Sequence, residues 1–195
     1  MLNGFFTLAV RTLQEPRTVA DELISMRIER RVLWLALALV VVLNTLIYQL
    51  SLVIAPPLQE LPFIFTSPVP FAVIVGSGLV LSIYSITYAG RFLGGKASLN
   101  DIMVLLVWLQ YLRFAVQVLM VVLMPIASGI AGLLVFAASL YGIWLVLQFV
   151  DVAHRFDSLF TSFGTLVFSV LGIMLGVAIL LSLLGIQNLG LTPYV

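Results

Sequence analysis

The chain has no cysteine. That absence excludes a disulfide framework, a thiolate-ligated zinc or iron–sulfur site and a thiol nucleophile. It has a single histidine, His154, too few for a histidine-rich metal site. Charge is scarce: 9% of the 195 residues are charged, where soluble domains carry about 25%. Nine Lys and Arg against eight Asp and Glu leave a net charge of +1, so there is no basic field for a nucleic acid to follow. Hydrocarbon is what the chain has in abundance, with 63% hydrophobic residues and a mean hydropathy of +1.23. So few charges cannot cover a soluble globule of this size, and so much apolar surface does not stay disordered. An integral membrane protein remains.

Five apolar runs stand out, at about 32–54, 70–88, 102–124, 130–150 and 162–184. Each has the roughly 20 residues that a helix needs to cross a bilayer. A membrane β-strand would show about ten residues of strict alternation, which these runs lack. The expectation is an all-α polytopic protein, one bundle of five transmembrane helices over 32–184, preceded by an arm (1–31) and followed by a short tail (185–195). The breaks carry turn chemistry: Ala55-Pro56-Pro57, then Pro62, Pro68 and Pro70; Gly90 with Gly94-Gly95; Pro125 with Gly129; and Gly185 with Asn188.

The arm does not read as a secretory signal, because the first long apolar run is too long and no small-residue cleavage site follows it. On a helical wheel Leu2, Phe5, Phe6, Ala9 and Leu13 share one face, and Asn3, Thr7, Arg11 and Gln14 the opposite one. That pattern predicts a short amphipathic helix in the headgroup layer. Pro16 then opens a second helix, with Val19, Leu23 and Met26 on its apolar side. The arm serves either as a packing anchor for the bundle or as a docking surface.

Eight of the nine basic residues fall on one side of a five-span topology: Arg11, Arg17, Arg27, Arg30 and Arg31 before the first span, Arg91 and Lys96 between the second and third, and Arg155 between the fourth and fifth. The positive-inside rule makes that side cytoplasmic, with the N-terminus inside and the C-terminus outside. Trp34 suits the interfacial belt of that side.

The ninth basic residue, Arg113, sits near the middle of the third span, where a charge costs about 2.5–3.5 kcal/mol on insertion scales. Gln110 and Gln117 lie on the same helical face, three residues before it and four after. Asn44, in the first span, is the other deep amide. Such an arginine is expected to face the bundle interior. Two readings stand: a structural anchor held by amides and carbonyls, or a stripe that binds an anion, a lipid headgroup or a partner's carboxylate.

No catalytic constellation occurs, whether Ser/His/Asp spacing, HExxH or a two-metal carboxylate cluster, and no cofactor or metal is expected. Asp151, His154 and Asp157 read as a solvated loop at the basic end in which Asp and Arg155 offset one another, with a weak acid–base or metal pair as the alternative. The turn from Gly90 to Lys96 has glycines and cations without the spacing of a phosphate loop. It reads as a tight turn in which Arg91, Gly94, Gly95, Lys96 and Ser98 contact headgroups or a partner. Ser98 or Asn100 is expected to cap the third span.

Small residues mark packing surfaces: Gly78, Ser82, Ser85 and Ala89 in the second span, Ala138 and Gly142 in the fourth, Gly172 and Gly176 in the fifth. In lipid they let helix backbones approach closely. Packing among the five helices is the first reading, a homodimer through Gly172 and Gly176 the second.

The order of these features resembles a known family. Glu15-Pro16-Arg17 precedes Arg30-Arg31-Val32-Leu33-Trp34-Leu35-Ala36-Leu37-Ala38-Leu39, and the second span leads into Tyr88-Ala89-Gly90-Arg91-Phe92-Leu93-Gly94-Gly95-Lys96-Ala97-Ser98. Five spans with this spacing resemble the bacterial branch of the YIP family, relatives of the eukaryotic Rab/Ypt-interacting membrane proteins. Leu93-Gly94-Gly95-Lys96-Ala97-Ser98 is the most specific part. The resemblance implies fold, topology and a non-enzymatic role in a bacterial inner membrane. Eukaryotic members contact prenylated GTPases partly through a longer N-terminal region, which the short arm here does not reproduce. The expected function is to bind another integral membrane protein or to organise membrane lipids. The alternative is a small transporter, channel or lipid-moving protein working through Arg113, Gln110 and Gln117.

Overall fold

Backbone groups in hydrocarbon must find their hydrogen bonds within their own segment, and this chain meets that demand with helices. The structure, a computed structural model, describes residues 2–57, 59, 61–124 and 126–184. The tail 185–195, with Gly185 and Asn188, and the break residue Pro125 lie outside the described residues. The arm forms α1 (Leu2–Gln14) and α2 (Pro16–Ser25). Then come α3 (Arg30–Ile54), the single turn α4 (Phe63–Thr66), α5 (Pro68–Phe92), α6 (Leu99–Leu123), α7 (Ser128–His154) and α8 (Leu159–Leu184). Five of these, α3 and α5 to α8, are long and apolar enough to cross a membrane.

The spans close into a ring in the order α3, α5, α8, α7, α6, with α6 returning to α3. Local chemistry sets the ends. Pro68 opens α5 from the first turn, where a missing N–H costs nothing. Ser98 caps α6 through a reciprocal box: its hydroxyl accepts from Asp101 N–H at 3.2 Å, and the Asp101 carboxylate accepts from Ser98 N–H at 2.8 Å. Arg155 ends α7 in the left-handed conformation, φ 57°.

Inside the spans, most polar side chains satisfy themselves locally. Asn44, Thr45, Thr87 and Ser169 each donate to the carbonyl four residues back at 2.7–2.8 Å. Others tie helices together. The Ser85 hydroxyl donates to the Ser169 carbonyl at 2.9 Å, joining α5 to α8. The Tyr111 hydroxyl donates to the Ala36 carbonyl at 3.2 Å, joining α6 to α3. Tyr48 stacks on Phe71, with ring centres 4.1 Å apart.

The tightest packing lies at the end where the basic residues gather. Buried residues there come from every span: Leu33 and Leu37 of α3, Ile83 and Ile86 of α5, Ile102 to Leu105 of α6, Phe149 and Val150 of α7, Ser162 and Thr165 of α8. Toward the other end burial thins. Among the described residues of α6 none is buried beyond Val107, and in α7 only Ala131 is buried before Leu145.

The arm belongs to this packed end. Val19, Ala20 and Leu23 of α2 are buried against α6 and α7, while Met26, expected beside them, is exposed. Helix α1 packs against the bundle along one side. Thr12 is buried and accepts a hydrogen bond from the Trp108 indole at 3.0 Å. Phe5 meets the same indole edge-on. The Tyr141 hydroxyl donates to the Leu13 carbonyl. A second stripe of α1, Phe6, Val10 and Leu13, stays uncovered, so the helix presents one side to protein and an adjacent apolar side to its surroundings.

Candidate functional site

Two groups of polar side chains set this bundle apart from plain hydrocarbon packing. The first is at the basic end. Asp151, near the end of α7, has no exposed side-chain surface. A buried carboxylate needs a cation and hydrogen-bond donors, and three elements supply them. Arg17 of α2 donates to Oδ2. The backbone N–H of Ser158 donates to Oδ1 at 2.9 Å, and the Ser162 hydroxyl, on α8, to the same oxygen at 3.3 Å. Arg17 also approaches Asp157 at 4.0 Å, and Arg11 joins α1 to α2 through Glu22 at 3.0 Å. The Asp151 carboxylate thus holds the arm, α7 and the start of α8 in one node.

His154, one turn on, is 1% exposed and stacks on Phe156, with ring centres 5.0 Å apart. Both of its ring nitrogens are buried, with the Ile86 backbone carbonyl facing the ring but no hydrogen bond of good geometry among the described residues. Two glycines cradle it. A Cβ added at Gly90 would fall 2.1 Å from the ring, and one at Gly95 2.3 Å from it. The turn is sewn to α7 by the Lys96 N–H donating to the His154 carbonyl at 3.1 Å. Gly94 takes φ +89°, a conformation open to glycine at no steric cost.

These positions correct the reading of Asp151 and His154 as a solvated loop. Only residues 155–158 separate α7 from α8, and of Asp151, His154 and Asp157 only Asp157 is exposed. Pairing with Arg17 and shielding by two glycines permit that burial. The signals were present in the sequence as Asp151 and His154 on one helical face, Arg17 in the arm and glycines at 90 and 95. Nothing local joins them.

Within the turn, Gly94 and Lys96 are exposed. Arg91 is exposed but places Nε on the Ala97 carbonyl at 2.9 Å, Gly95 faces His154, and Ser98 is engaged in its cap. Of the small residues, Ser85 meets α8 near Gly172, 3.7 Å from the space a Cβ there would fill. Ser82 donates to the Gly78 carbonyl of its own helix. Gly78 and Gly176 face open space within this chain.

The second polar group is the stripe on α6. Arg113 is exposed on the flank of the ring and has no ion pair or hydrogen bond among the described residues. This corrects its expected inward orientation: in a ring this small the stripe straddles the edge of the α6 contact surface. Gln110 and Gln117 are half-buried, and the Gln117 Oε1 is enclosed without a donor. Asn44 is buried on α3 and donates to its own helix rather than to the stripe. Among the described residues no group of three or more His, Cys, Asp or Glu could hold a metal.

Comparison with known proteins gives one match. The Yip1 domain matches residues 10–185. No curated protein and no solved structure matches the chain.

Proposed function

Since the chain belongs to the Yip1 domain family and is a multi-pass membrane protein, we propose that it is a non-enzymatic docking protein of a bacterial inner membrane, which binds another integral membrane protein on its cytoplasmic side. One observation carries this reading. The basic end is a rigid platform, locked by Asp151 and His154, that still leaves large apolar side chains uncovered beside its cations. Phe6, Val10 and Leu13 form a stripe along α1, and Phe92 and Phe160, at the ends of α5 and α8, are 83% and 85% exposed. A pre-organised surface loses little entropy on binding, and exposed aromatics next to charge are the usual anchors of an interface. Transport is the weaker reading, because Arg113 opens onto the flank of the ring.

The test is photo-crosslinking in native membranes from a benzophenone amino acid at Phe6, with Thr18, on the exposed side of α2, as the control position. A specific integral membrane protein captured at Phe6, and lost on Val10→Ser with Leu13→Ser, supports docking. Capture of phospholipid alone would shift the reading to lipid organisation. Anion flux or lipid exchange by the purified protein in liposomes would replace it with transport.

A further inference from the structure

Arg113 carries an inference that deepens the docking reading and rests on it. All eight carboxylates of the chain are Glu15, Asp21, Glu22, Glu29, Glu60, Asp101, Asp151 and Asp157. Glu60 lies outside the described residues, and each of the others lies in the arm, in a connection or within four residues of a helix end. Arg113 lies 14 residues after Leu99 and 10 before Leu123. At 1.5 Å per residue that is about 21 Å and about 15 Å from the two ends of α6. Among the described residues no carboxylate reaches that depth. Lipid phosphates gather at the bilayer surfaces, and an arginine reaches them from mid-span only by deforming the bilayer around it.

A guanidinium in hydrocarbon is not left unpaired without cost. Leu109, Val116 and Met120 lie on the same helical face, with Gln110 and Gln117 beside them. A second copy of this chain does not fit. It has no acid at this depth, and a twofold contact through the same face would set two guanidiniums against each other. We propose that Arg113 anchors an intramembrane interface whose occupant is a transmembrane helix of another protein carrying an Asp or Glu at mid-bilayer. Carboxylate and guanidinium then form a bidentate pair, in a medium where the charge attraction is far stronger than in water.

The experiment places a benzophenone amino acid at Val116 in the full chain, in native membranes. The expected result is capture of a membrane protein with an acidic residue inside a span. Arg113→Leu lowers capture about tenfold or more, Arg113→Lys keeps the charge without the second hydrogen bond and loses less, and Arg113→Glu is rescued by changing that acid to Arg. Retention by the Lys variant separates loss of charge from loss of fold. Capture of lipid only, of a second copy, or of a span without an acid overturns the proposal, as does an absence of capture or a yield indifferent to Arg113→Leu. Capture at Phe6 that persists in Arg113→Leu, with none at Val116, leaves docking standing and removes the intramembrane anchor. Capture at Val116 with none at Phe6 leaves the intramembrane anchor standing and removes the α1 stripe from the docking surface.

Discussion

Arg17 and Asp151 are 134 residues apart in sequence and joined by a direct ion pair, half of it exposed and half fully enclosed. The asymmetry decides what each substitution does. Arg17→Met strands a buried carboxylate, whereas Asp151→Asn leaves Arg17 in contact with solvent and keeps an acceptor for Ser158 and Ser162. Arg17→Met should therefore cost about 3 kcal/mol in detergent unfolding. Adding Asp151→Asn should return more than half of that. Equal losses in the single and double variants would mean that the pair does not hold the arm.

The two glycines around His154 make a sharper test. Gly95→Ala drives a methyl into the imidazole and should cost about 1–3 kcal/mol. In a His154→Ala background the clash with the ring is gone and the cost should fall well below that in the native background, the remainder coming from the Gly90 carbonyl, 2.8 Å from the same methyl. The measurement is a double-mutant cycle on thermal stability. Additive losses would show that the ring does not occupy that cradle.

Trp108 holds α1 through its indole N–H. Trp108→Phe keeps the aromatic contact with Phe5 and removes the bond to Thr12, at a cost of about 1 kcal/mol. The arm should then be cut faster by trypsin at Arg11 and Arg17, while the spans stay intact. Unchanged cleavage would place the arm's anchorage elsewhere, on Val19 and Leu23.

The lack of cysteine makes topology easy to read, since an introduced thiol is unique. With an impermeant maleimide, Gln59→Cys should label in intact cells and Lys96→Cys only after the membrane is opened. Labelling of both from the same side would overturn the assignment of the basic end to the cytoplasm.

Much of the fold is legible because its causes are local. The apolar runs give the spans, Pro68 starts one helix, and Ser98 with Asp101 caps another within four residues. The glycine turn at 94–95 is visible as a turn, but its purpose, room for His154, depends on a residue some sixty positions away. The burial of Asp151 is hidden for the same reason, since its cation is on the arm. The direction of Arg113 fails for a different reason. Helix α6 is apolar on nearly every face, so a stripe of three polar residues does not reveal which side meets the neighbouring helices. Gln117 turns partly inward and Arg113, one turn away, outward.

Because close packing is concentrated at the basic end, the protein is stiff there and compliant at the other. Bilayers of differing thickness are then accommodated by a change of tilt where α6 and α8 carry exposed residues such as Leu119 and Met174, while Val19 and Ile83 keep their neighbours. The packed end then acts as a hinge plate whose geometry does not vary with the lipid around it.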